Sequence, residues 1–295
     1  MNYKSKGYRV FQVFNVTILL LLMVVTLFPY LNVLAKSLNE GLDTMRGGIV
    51  LWPRKPTLEN FQALLQSDDM LRAAVISVAR VILGTVLALG TQFLAAYAFC
   101  RRPFPGKKFM LVFLSVPMFL TGGLMPTYFL YSQIGLLNNF LVYILPTLFS
   151  FYQMVIIRTF ISTTISVSLE EAATIDGANE FQVFWRIIIP LSKPILATIG
   201  LWIAVGHWND WTTTLYYITR SSLFTLQYKL MEILKEAERI AKLMAEADAN
   251  TVIPKSTPDA LIAAQIIVTT LPVIVLYPFL QKYFIQGVMI GAVKE

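Results

Sequence analysis

Polar and aromatic residues gather near residue 207 in an otherwise apolar stretch, where they could bind a ligand. Four of them recur at the i, i+3, i+4, i+7 spacing of one helix face, namely His207, Asp210, Trp211 and Thr214. Ionisable groups are costly in hydrocarbon, so they usually face a bundle interior and serve function. An indole can stack on the C–H face of a sugar, and a carboxylate can accept its hydroxyl protons. A His207–Asp210 bond that only fixes the helices, with tryptophans at the membrane interface, is the alternative.

Further candidates for solute contact lie around this face. They are Trp208 and Asn209 in the same stretch, and Tyr128 in an earlier apolar stretch. Arg80 lies about 12 Å along a helix from Arg72, and we expect its side chain to snorkel to the outer surface. The alternative is that Arg80 pairs with an acid in the path, an arrangement that would be useful for an anionic sugar.

The chain that carries these residues has the composition of a membrane protein. Of its 295 residues, 56% are hydrophobic and 14% are charged, whereas soluble domains carry about 25% charged residues. A spanning helix needs roughly 20 apolar residues. Six windows qualify, namely 11–35, 72–99, 109–131, 139–160, 194–219 and 259–285. We predict an all-α integral membrane protein with six transmembrane helices, because backbone groups in lipid must be bonded internally.

The distribution of basic residues indicates the orientation. With six alternating windows, the basic residues of the termini and of the short loops all fall on one side, namely Lys4, Lys6, Arg9, Arg101, Arg102, Lys107, Lys108, Arg158, Arg186, Lys193, Lys282 and Lys294. Short loops rich in Lys and Arg stay cytoplasmic, so both termini are predicted in the cytoplasm. The net charge of +7 is therefore explained by topology, and no nucleic acid partner is expected. The single cysteine, Cys100, excludes an internal disulfide.

The connections suggest a division of the chain. We predict an N-terminal span with its external loop (1–71), a core of five spans (72–285) and a cytoplasmic tail (286–295). The external segment 220–258 contains an amphipathic helix at 226–249. That helix is either a lid on the membrane surface or a docking element for an external protein.

The third window is interrupted by helix breakers. They are Pro117, Gly122, Gly123 and Pro126, and we expect this helix to kink or unwind. Broken helices line substrate pathways in transporters. Close helix packing with tolerated kinks is the alternative.

The polar segment 168–190, between the fourth and fifth windows, carries signals for two short helices. Ser168-Leu169-Glu170-Glu171 fits a capping box, and Gly177 is placed to end the helix in a left-handed conformation. Asn179 begins a second cap-like sequence. The stripe that follows is Phe181, Phe184, Trp185 and Ile188, and Pro190 and Pro194 bend the chain into the fifth window. We predict a rigid elbow with one helix on the bundle and one toward a partner, or alternatively an amphipathic linker on the bilayer.

Ten residues of this segment form a recognisable pattern. They are Glu171, Ala172, Ala173, Asp176, Gly177, Ala178, Phe184, Ile187, Pro190 and Pro194. The pattern resembles the coupling motif of permease subunits in ATP-binding-cassette importers, in the carbohydrate, maltose-type branch. Ile189 replaces the usual Leu, a mild departure, and Gln281-Lys282-Tyr283-Phe284 is similar to the end of that branch. The resemblance covers residues 70–295 and reaches a subgroup associated with oligosaccharide and polysaccharide fragments, alginate among them.

The resemblance implies a division of labour in a bacterial cytoplasmic (inner) membrane. A second, non-identical permease would complete the path, two cytoplasmic ATPase subunits would bind ATP and Mg, and an external solute-binding protein would deliver the sugar. The residues implied in coupling to the ATPase are Glu170, Glu171, Ala172, Ala173, Asp176, Gly177, Phe184 and Pro190. In such systems direct solute contacts can fall mainly on the other permease. This chain has no phosphate-binding glycine loop ending in Lys-Ser or Lys-Thr, so we expect no ATPase site and no cofactor in it.

An ion-coupled carrier or an intramembrane enzyme is the alternative class. A carrier would need acids buried at the midplane for its ion, and Asp210 is the only acid clearly within a window. A hydrolase would need a nucleophile and a base. His207 is the only histidine, and no serine or cysteine signature accompanies it. We therefore assign no catalytic or metal-binding residue and predict an ATP-driven sugar permease.

Overall fold

The computed structural model describes residues 6–101, 103–120, 122–246 and 259–275. Across these ranges the regular structure is helical, and the only strand-like pairing is an isolated bridge between Asn39 and Pro56. The α-helices are α1 Lys6–Ser37, α2 Gly41–Met45, α3 Glu59–Leu65, α4 Asp68–Arg101, α5 Lys107–Phe119, α6 Leu124–Gln133, α7 Phe151–Thr164, α8 Val167–Ile175, α9 Glu180–Val183, α10 Ile189–Leu191, α11 Lys193–Asn209, α12 Thr212–Tyr217, α13 Leu226–Glu246 and α14 Asp259–Val275. The all-α prediction is confirmed.

The long apolar helices match the predicted windows, although several are bent. α1 and α4 are each long and apolar enough to cross a membrane alone. Three more candidates are bent pairs, formed by α5 with α6, by residues 140–147 with α7, and by residues 180–191 with α11. The last two pairs bend by 48° and 76°. The sixth window is described only over α14, so the count of six spans stays a prediction.

The third window is broken where its glycines and prolines predict. α5 ends at Phe119 and α6 begins at Leu124, with Gly122-Gly123 in the gap. Pro117 lies inside the last turn of α5, where its ring removes one backbone donor. The predicted interruption of this helix is therefore confirmed.

The chain divides into two compact units, of which the first comprises residues 1–70 and 230–271. Its loop after α1 is organised by Asn39, whose amide donates to Asp43 Oδ2 and Thr44 Oγ1, both at 3.0 Å. The Arg54 guanidinium donates to the same Asp43 oxygen at 3.0 Å. These contacts hold the pKa of the Asp43 carboxyl below its usual range, and the hydrogen bond from Asn39 has the largest effect. The polar network replaces an apolar core in this loop.

The second unit comprises residues 71–229 and 272–295 and holds the larger apolar core. Small and large side chains of α4 pack there against α7 and α11. The buried members are Ala88, Phe93, Ala96 and Phe99 of α4, Met154, Ile157 and Ile161 of α7, and Ile195, Ile199 and Ile203 of α11. Phe184 and Ile188, from the segment that precedes α10, complete the cluster. The elbow is thus built onto a packed bundle.

The predicted amphipathic helix at 226–249 is present as α13, which begins at Leu226 as expected. Its start is fixed by Ser77 of α4, which accepts a hydrogen bond from the Leu226 backbone at 2.8 Å. The last three residues of the predicted helix lie outside the described residues. The predicted Gln281–Phe284 similarity and the terminal lysines Lys282 and Lys294 lie outside them too.

Candidate functional site

The first helix of the elbow, α8, begins earlier than its predicted cap. Ser166 is the N-cap, because its backbone is extended (φ −65°, ψ 138°) and its hydroxyl accepts from the Ser168 amide. Ser168 lies inside the first turn, and the two hydroxyls are 2.7 Å apart. The predicted capping box from Ser168 to Glu171 is therefore wrong. The helix itself, with nine residues, has the expected length.

The end of α8 is as predicted. Gly177 has φ +84°, in the left-handed region that glycine adopts without a side-chain penalty. The Gly177 amide donates to Thr174 O at 3.0 Å, and the Ala178 amide donates to Ala173 O at 2.9 Å. These two bonds make a complete Schellman motif, which satisfies the last carbonyls and fixes the turn out of α8.

The second helix of the elbow starts at the predicted cap. Asn179 and Gln182 exchange reciprocal hydrogen bonds, each 2.9 Å long, in a capping box. The chain then forms one π-helical stretch, Phe184–Ile188, before α10. Because a π turn shifts the register of the face, the predicted stripe is split. Phe184 and Ile188 are buried, whereas Phe181 and Trp185 remain exposed.

The two arms of the elbow differ in burial. α8 has no buried residue, and Glu171, Ala172 and Asp176 are all exposed. Ile175 at its tip is 86% exposed, which is unusual for a large apolar side chain. Ala173 is half-buried against the bundle core. The arrangement agrees with an arm that projects from a supported base.

Glu170 differs from its neighbour Glu171, because it turns toward the bundle. Its Oε1 lies 2.6 Å from Arg101 Nε, and the two side chains are only 14% and 11% exposed. Arg101 also donates from Nη2 to the Ile165 carbonyl at 2.6 Å. One guanidinium at the end of α4 therefore holds the first turn of α8. This contact joins residues that are distant in sequence, and no local pattern predicts it.

A cavity of about 770 Å³ opens beside α8. It is lined on one side by α8 and on the other by the start of α9 and the end of α4, and its acidic residues are Glu170, Glu171 and Glu180. Arg101 also lines the cavity and pairs with Glu170, so a basic or amide-rich partner surface would meet the exposed Glu171. This cavity adjoins the residues whose pattern resembles the coupling motif.

A second polar site lies where α11 ends. Arg80, which is only 1% exposed, forms an ion pair with the Asp210 carboxylate and donates from Nη1 to the Asp210 carbonyl at 2.8 Å. The Arg80 guanidinium carbon also lies 4.6 Å from the centre of the Tyr143 ring. The prediction that Arg80 snorkels to the surface is wrong, and the alternative of pairing with an acid is observed. The Asp210 carboxylate thus compensates a guanidinium charge that burial would otherwise penalise.

Asp210 interrupts the helix on which the candidate face was predicted. α11 ends at Asn209, and Asp210 has an extended backbone (φ −78°, ψ 112°). Its Oδ1 accepts from the amides of Thr212 and Thr213 at 3.0 and 3.2 Å, so it caps α12. Trp211 and Thr214 therefore do not continue the α11 face, and the predicted helical alignment of the four residues is wrong. Thr214 is fully buried and pairs with Tyr143 at 2.9 Å.

His207 makes no bond to Asp210. Within the described part of the chain, neither ring nitrogen of His207 has a hydrogen-bond partner. The ring is packed against α4, because a Cβ placed on Gly84 would lie 2.3 Å from His207 Nε2. The predicted alternative, an internal His–Asp bond, is wrong, and His207 instead fits into the space left by Gly84.

These groups line a cavity of about 420 Å³. Its polar residues are Arg80, Thr147, Ser150, Gln153, His207 and Asp210, and Trp202 supplies an aromatic wall. Ser150 and Gln153 were missed in the sequence, because residues contributed from another window leave no local signal. Trp202 lies in the same window as His207 but was not named as a candidate for solute contact. The mix of donors, acceptors and an indole suits a hydroxyl-rich ligand.

Other predicted path residues lie elsewhere. Trp208 lines a separate apolar groove of about 230 Å³, with Val78 and Leu201 among its neighbours. The Tyr128 ring stacks on that of Tyr217 at 6.3 Å. Asn209 is the exposed last residue of α11. The structure thus gathers His207 and Asp210 into one cavity and leaves the other four predicted residues, Trp208, Asn209, Trp211 and Tyr128, out of it.

Comparison with known proteins decides the family. The model of the binding-protein-dependent transport system inner membrane component family matches residues 106–290. The chain belongs to this family. The match spans the elbow and the cavity residues from α7 and α11, and the predicted resemblance to importer permeases is confirmed. Membership together with the apolar helices makes the chain a multi-pass inner membrane protein.

Individual relatives of this permease family align along almost the whole chain. Protein LplC of Bacillus subtilis (strain 168) is 33% identical over 99% of this chain and 97% of the relative. The polygalacturonan/rhamnogalacturonan transport system permease protein YtcP of the same organism is 30% identical, covering 97% and 99%. A chain from the crystal structure of a bacterial ABC transporter involved in the import of the acidic polysaccharide alginate shares the fold. That match has a TM-score of 0.85 at 24% identity, covering 96% of this chain and 100% of the other.

Proposed function

We propose that this chain is the transmembrane permease subunit of an ATP-driven, binding-protein-dependent importer of sugars, chiefly oligosaccharides or polysaccharide fragments. The observation that carries the proposal is α8, an exposed helix capped at both ends and carried by a packed base. The names of the relatives support the solute class, since one is a permease for acidic polysaccharides. Uronate oligomers, alginate among them, are therefore the first solutes to test.

The elbow would act as a lever. Glu171, Ala172 and Asp176 are exposed on α8 and would contact a partner ATPase, which binds ATP and Mg. Ala172 permits close seating, and Glu171 offers a carboxylate to basic or amide groups. Gly177 holds the turn that aims α8 outward. Phe184, buried at the base, and Pro190, at the start of the bend into α11, anchor the lever to the bundle.

A capped helix transmits displacement because its ends resist fraying. Closure of two ATPase subunits around ATP would move α8 as a body and reorient the spans between inward-open and outward-open states. A floppy linker lying on the bilayer would absorb the same motion. The chemistry of ATP hydrolysis belongs to the partner subunits, and this chain serves as a permease without an ATPase site of its own.

The polar cavity between α4, α7 and α11 is the proposed point of solute contact in this subunit. Trp202 can stack on a sugar face, while Gln153 and Ser150 can exchange hydrogen bonds with hydroxyl groups. Arg80 and Asp210 compensate each other there, so the pair presents both donors and acceptors without net charge. A second, non-identical permease would supply the opposite wall, and an external solute-binding protein would load the path. We propose that both termini lie in the cytoplasm, as the distribution of basic residues predicts.

The proposal is tested by transport in proteoliposomes that contain the purified complex with its ATPase subunits and binding protein. Uptake of radiolabelled oligogalacturonate, alginate oligomers and a neutral oligosaccharide is measured with and without internal ATP. We expect uptake of at least one sugar to require ATP and to survive an ionophore that collapses ion gradients. Uptake that persists without ATP but disappears with the ionophore would instead support the alternative, an ion-coupled carrier.

A further inference from the structure

One continuous helix carries two guanidinium groups that each hold another element. α4 runs without a break through Asp68–Arg101. Arg80 and Arg101 lie about 32 Å apart along it at 1.5 Å per residue. Their side chains are 2% and 11% exposed, so neither is an ordinary surface charge. Each guanidinium pairs with an acid outside α4.

The inner pair fixes the start of the elbow. Arg101 contacts Glu170 at 2.6 Å and donates to the Ile165 carbonyl at 2.6 Å, so it binds both sides of the N-cap of α8. The last turn of α4 is also held from α7, because Arg158 Nε donates to the Phe99 carbonyl at 3.2 Å. Two polar contacts from Arg101 and one from Arg158 thus join the end of α4 to its neighbours.

The outer pair fixes the break between α11 and α12. Arg80 binds both the carboxylate and the carbonyl of Asp210. Asp210 lies between the two helices, directly after the last residue of α11 and before the start of α12. The same carboxylate caps α12 through the amides of Thr212 and Thr213. Displacement of Arg80 would therefore displace the outer end of α11 and the polar cavity.

We propose that α4 is a transmission rod that carries displacement of the elbow, through Arg101–Glu170, to the cavity, through Arg80–Asp210. The proposal rests on the proposed function, since it assumes that an ATPase moves α8. It assigns Arg101, Glu170 and Arg80 as positioning residues for transport. None of the three needs to touch ATP or the sugar.

Ion pairs suit such a role better than apolar contacts. Apolar side chains can slide over one another at small cost, because burial of apolar surface is not directional. Separating the partners of a buried ion pair leaves an uncompensated buried charge, which is strongly unfavourable. Each end of α4 is therefore fixed by a contact that resists slippage when its neighbour moves.

Charge reversal of the inner pair tests the rod. The variants are Arg101→Glu, Glu170→Arg and the double reversal, each assembled with the ATPase subunits. The readout is sugar imported per ATP hydrolysed. We expect each single reversal to lower this ratio about tenfold or more, since each places like charges together. The double reversal should recover part of the ratio, because it restores the ion pair but not the bond from Arg101 to the Ile165 carbonyl.

Arg158→Gln is the matched control, because Arg158 binds the end of α4 but is not bonded to α8. It should leave the transport-to-hydrolysis ratio close to that of the wild type. Single reversals that transport with the wild-type ratio would overturn the rod. A double reversal no better than the singles, in complexes that still contain the ATPase, would overturn it as well, since only the pair explains rescue.

A distance measurement tests the rod without altering the pair. In a Cys100→Ser background, spin labels are attached at Leu169→Cys on α8 and Val86→Cys on α4, which are 48% and 64% exposed. Pulsed electron resonance compares the nucleotide-free and vanadate-trapped complexes. We expect the same distance in both states, and a changed distance in the trapped state once Arg101→Gln is added. A shift of several ångströms in the pair-intact protein would overturn the rod.

The two proposals fail in different ways. If the wild-type complex lacks ATP-driven uptake, the proposed function fails before the rod is tested. If wild-type uptake is ATP-driven and the labelled helices separate on trapping, only the rod fails.

Discussion

Substitution of Gly177 separates the lever from general stability. Gly177 has φ +84°, and a Cβ added there would meet nothing within 4 Å. Gly177→Ala therefore adds no steric clash, and its whole cost comes from the left-handed backbone. That cost is about 1–2 kcal/mol for a residue with a side chain. Such an energy changes a conformational ratio by a factor of about 5–30.

The chain offers a control of the same geometry. Gly135 follows α6 with φ +72° and likewise has nothing within 4 Å of an added Cβ. It also closes a Schellman motif, because its amide donates to Ser132 O at 3.3 Å and that of Leu136 to Tyr131 O at 2.9 Å. Gly135→Ala should therefore destabilise its own turn by the same amount as Gly177→Ala destabilises the turn after α8, but at a site distant in sequence from the elbow.

The assay compares thermal unfolding and ATP-driven uptake of both variants in the assembled complex. We expect similar small losses of thermal stability, while uptake falls about 5–30-fold only in Gly177→Ala. Gly177→Asn should keep more activity than Gly177→Ala, because Asn tolerates the left-handed region. Equal uptake in Gly177→Ala and Gly135→Ala would refute the reasoning that the turn aims a lever.

Two further predictions concern packing and pH. Gly84→Ala would drive a methyl group into the His207 ring, so it should lower the free energy of unfolding by about 1–3 kcal/mol. The control is Gly90→Ala on the same helix, whose added Cβ meets nothing within 4 Å and should not destabilise the protein. Equal unfolding temperatures would contradict this packing. The hydrogen bond from Asn39 is the main cause that lowers the pKa of Asp43 from 3.8. The ionised Asp43 carboxylate therefore stabilises the folded loop above pH 3.8, and this stabilisation is lost as pH falls through the lowered pKa. The measurement is limited proteolysis of residues 38–57 as pH is lowered. Cleavage should begin at a higher pH in Asn39→Ala than in the wild type, and the same pH profile in both proteins would argue against the network.

The elbow could be predicted from the sequence because its signals are local. Asn179 and Gln182, three residues apart, specify a capping box, and Gly177 specifies a left-handed turn. The start of α8 was misplaced by two residues, since Ser166 and Ser168 are equally good caps by residue type. Only the extended backbone at Ser166 decides between them. The π-helical stretch 184–188 carries no sequence signal that distinguishes it from an α-helix.

The polar cavity was predicted only in part because its contacts are distant in sequence. Arg80 and Asp210 are separated by 130 residues, so a local pattern favoured snorkelling for Arg80. The break at Asp210 did have a local signal, an acid before Thr212 and Thr213 that can cap a new helix. The apolar surroundings concealed it, since a long hydrophobic window favours one continuous helix.

The central claim is that the exposed tip of α8 seats in a partner ATPase. A photo-crosslinking amino acid at Ile175, which is 86% exposed, tests it most directly. After illumination of native membranes, we expect an adduct with the ATPase subunit that is lost when that subunit is deleted. The same probe at Phe129 of α6, 61% exposed, should give no such adduct. Adducts at Ile175 with lipid alone would contradict the account.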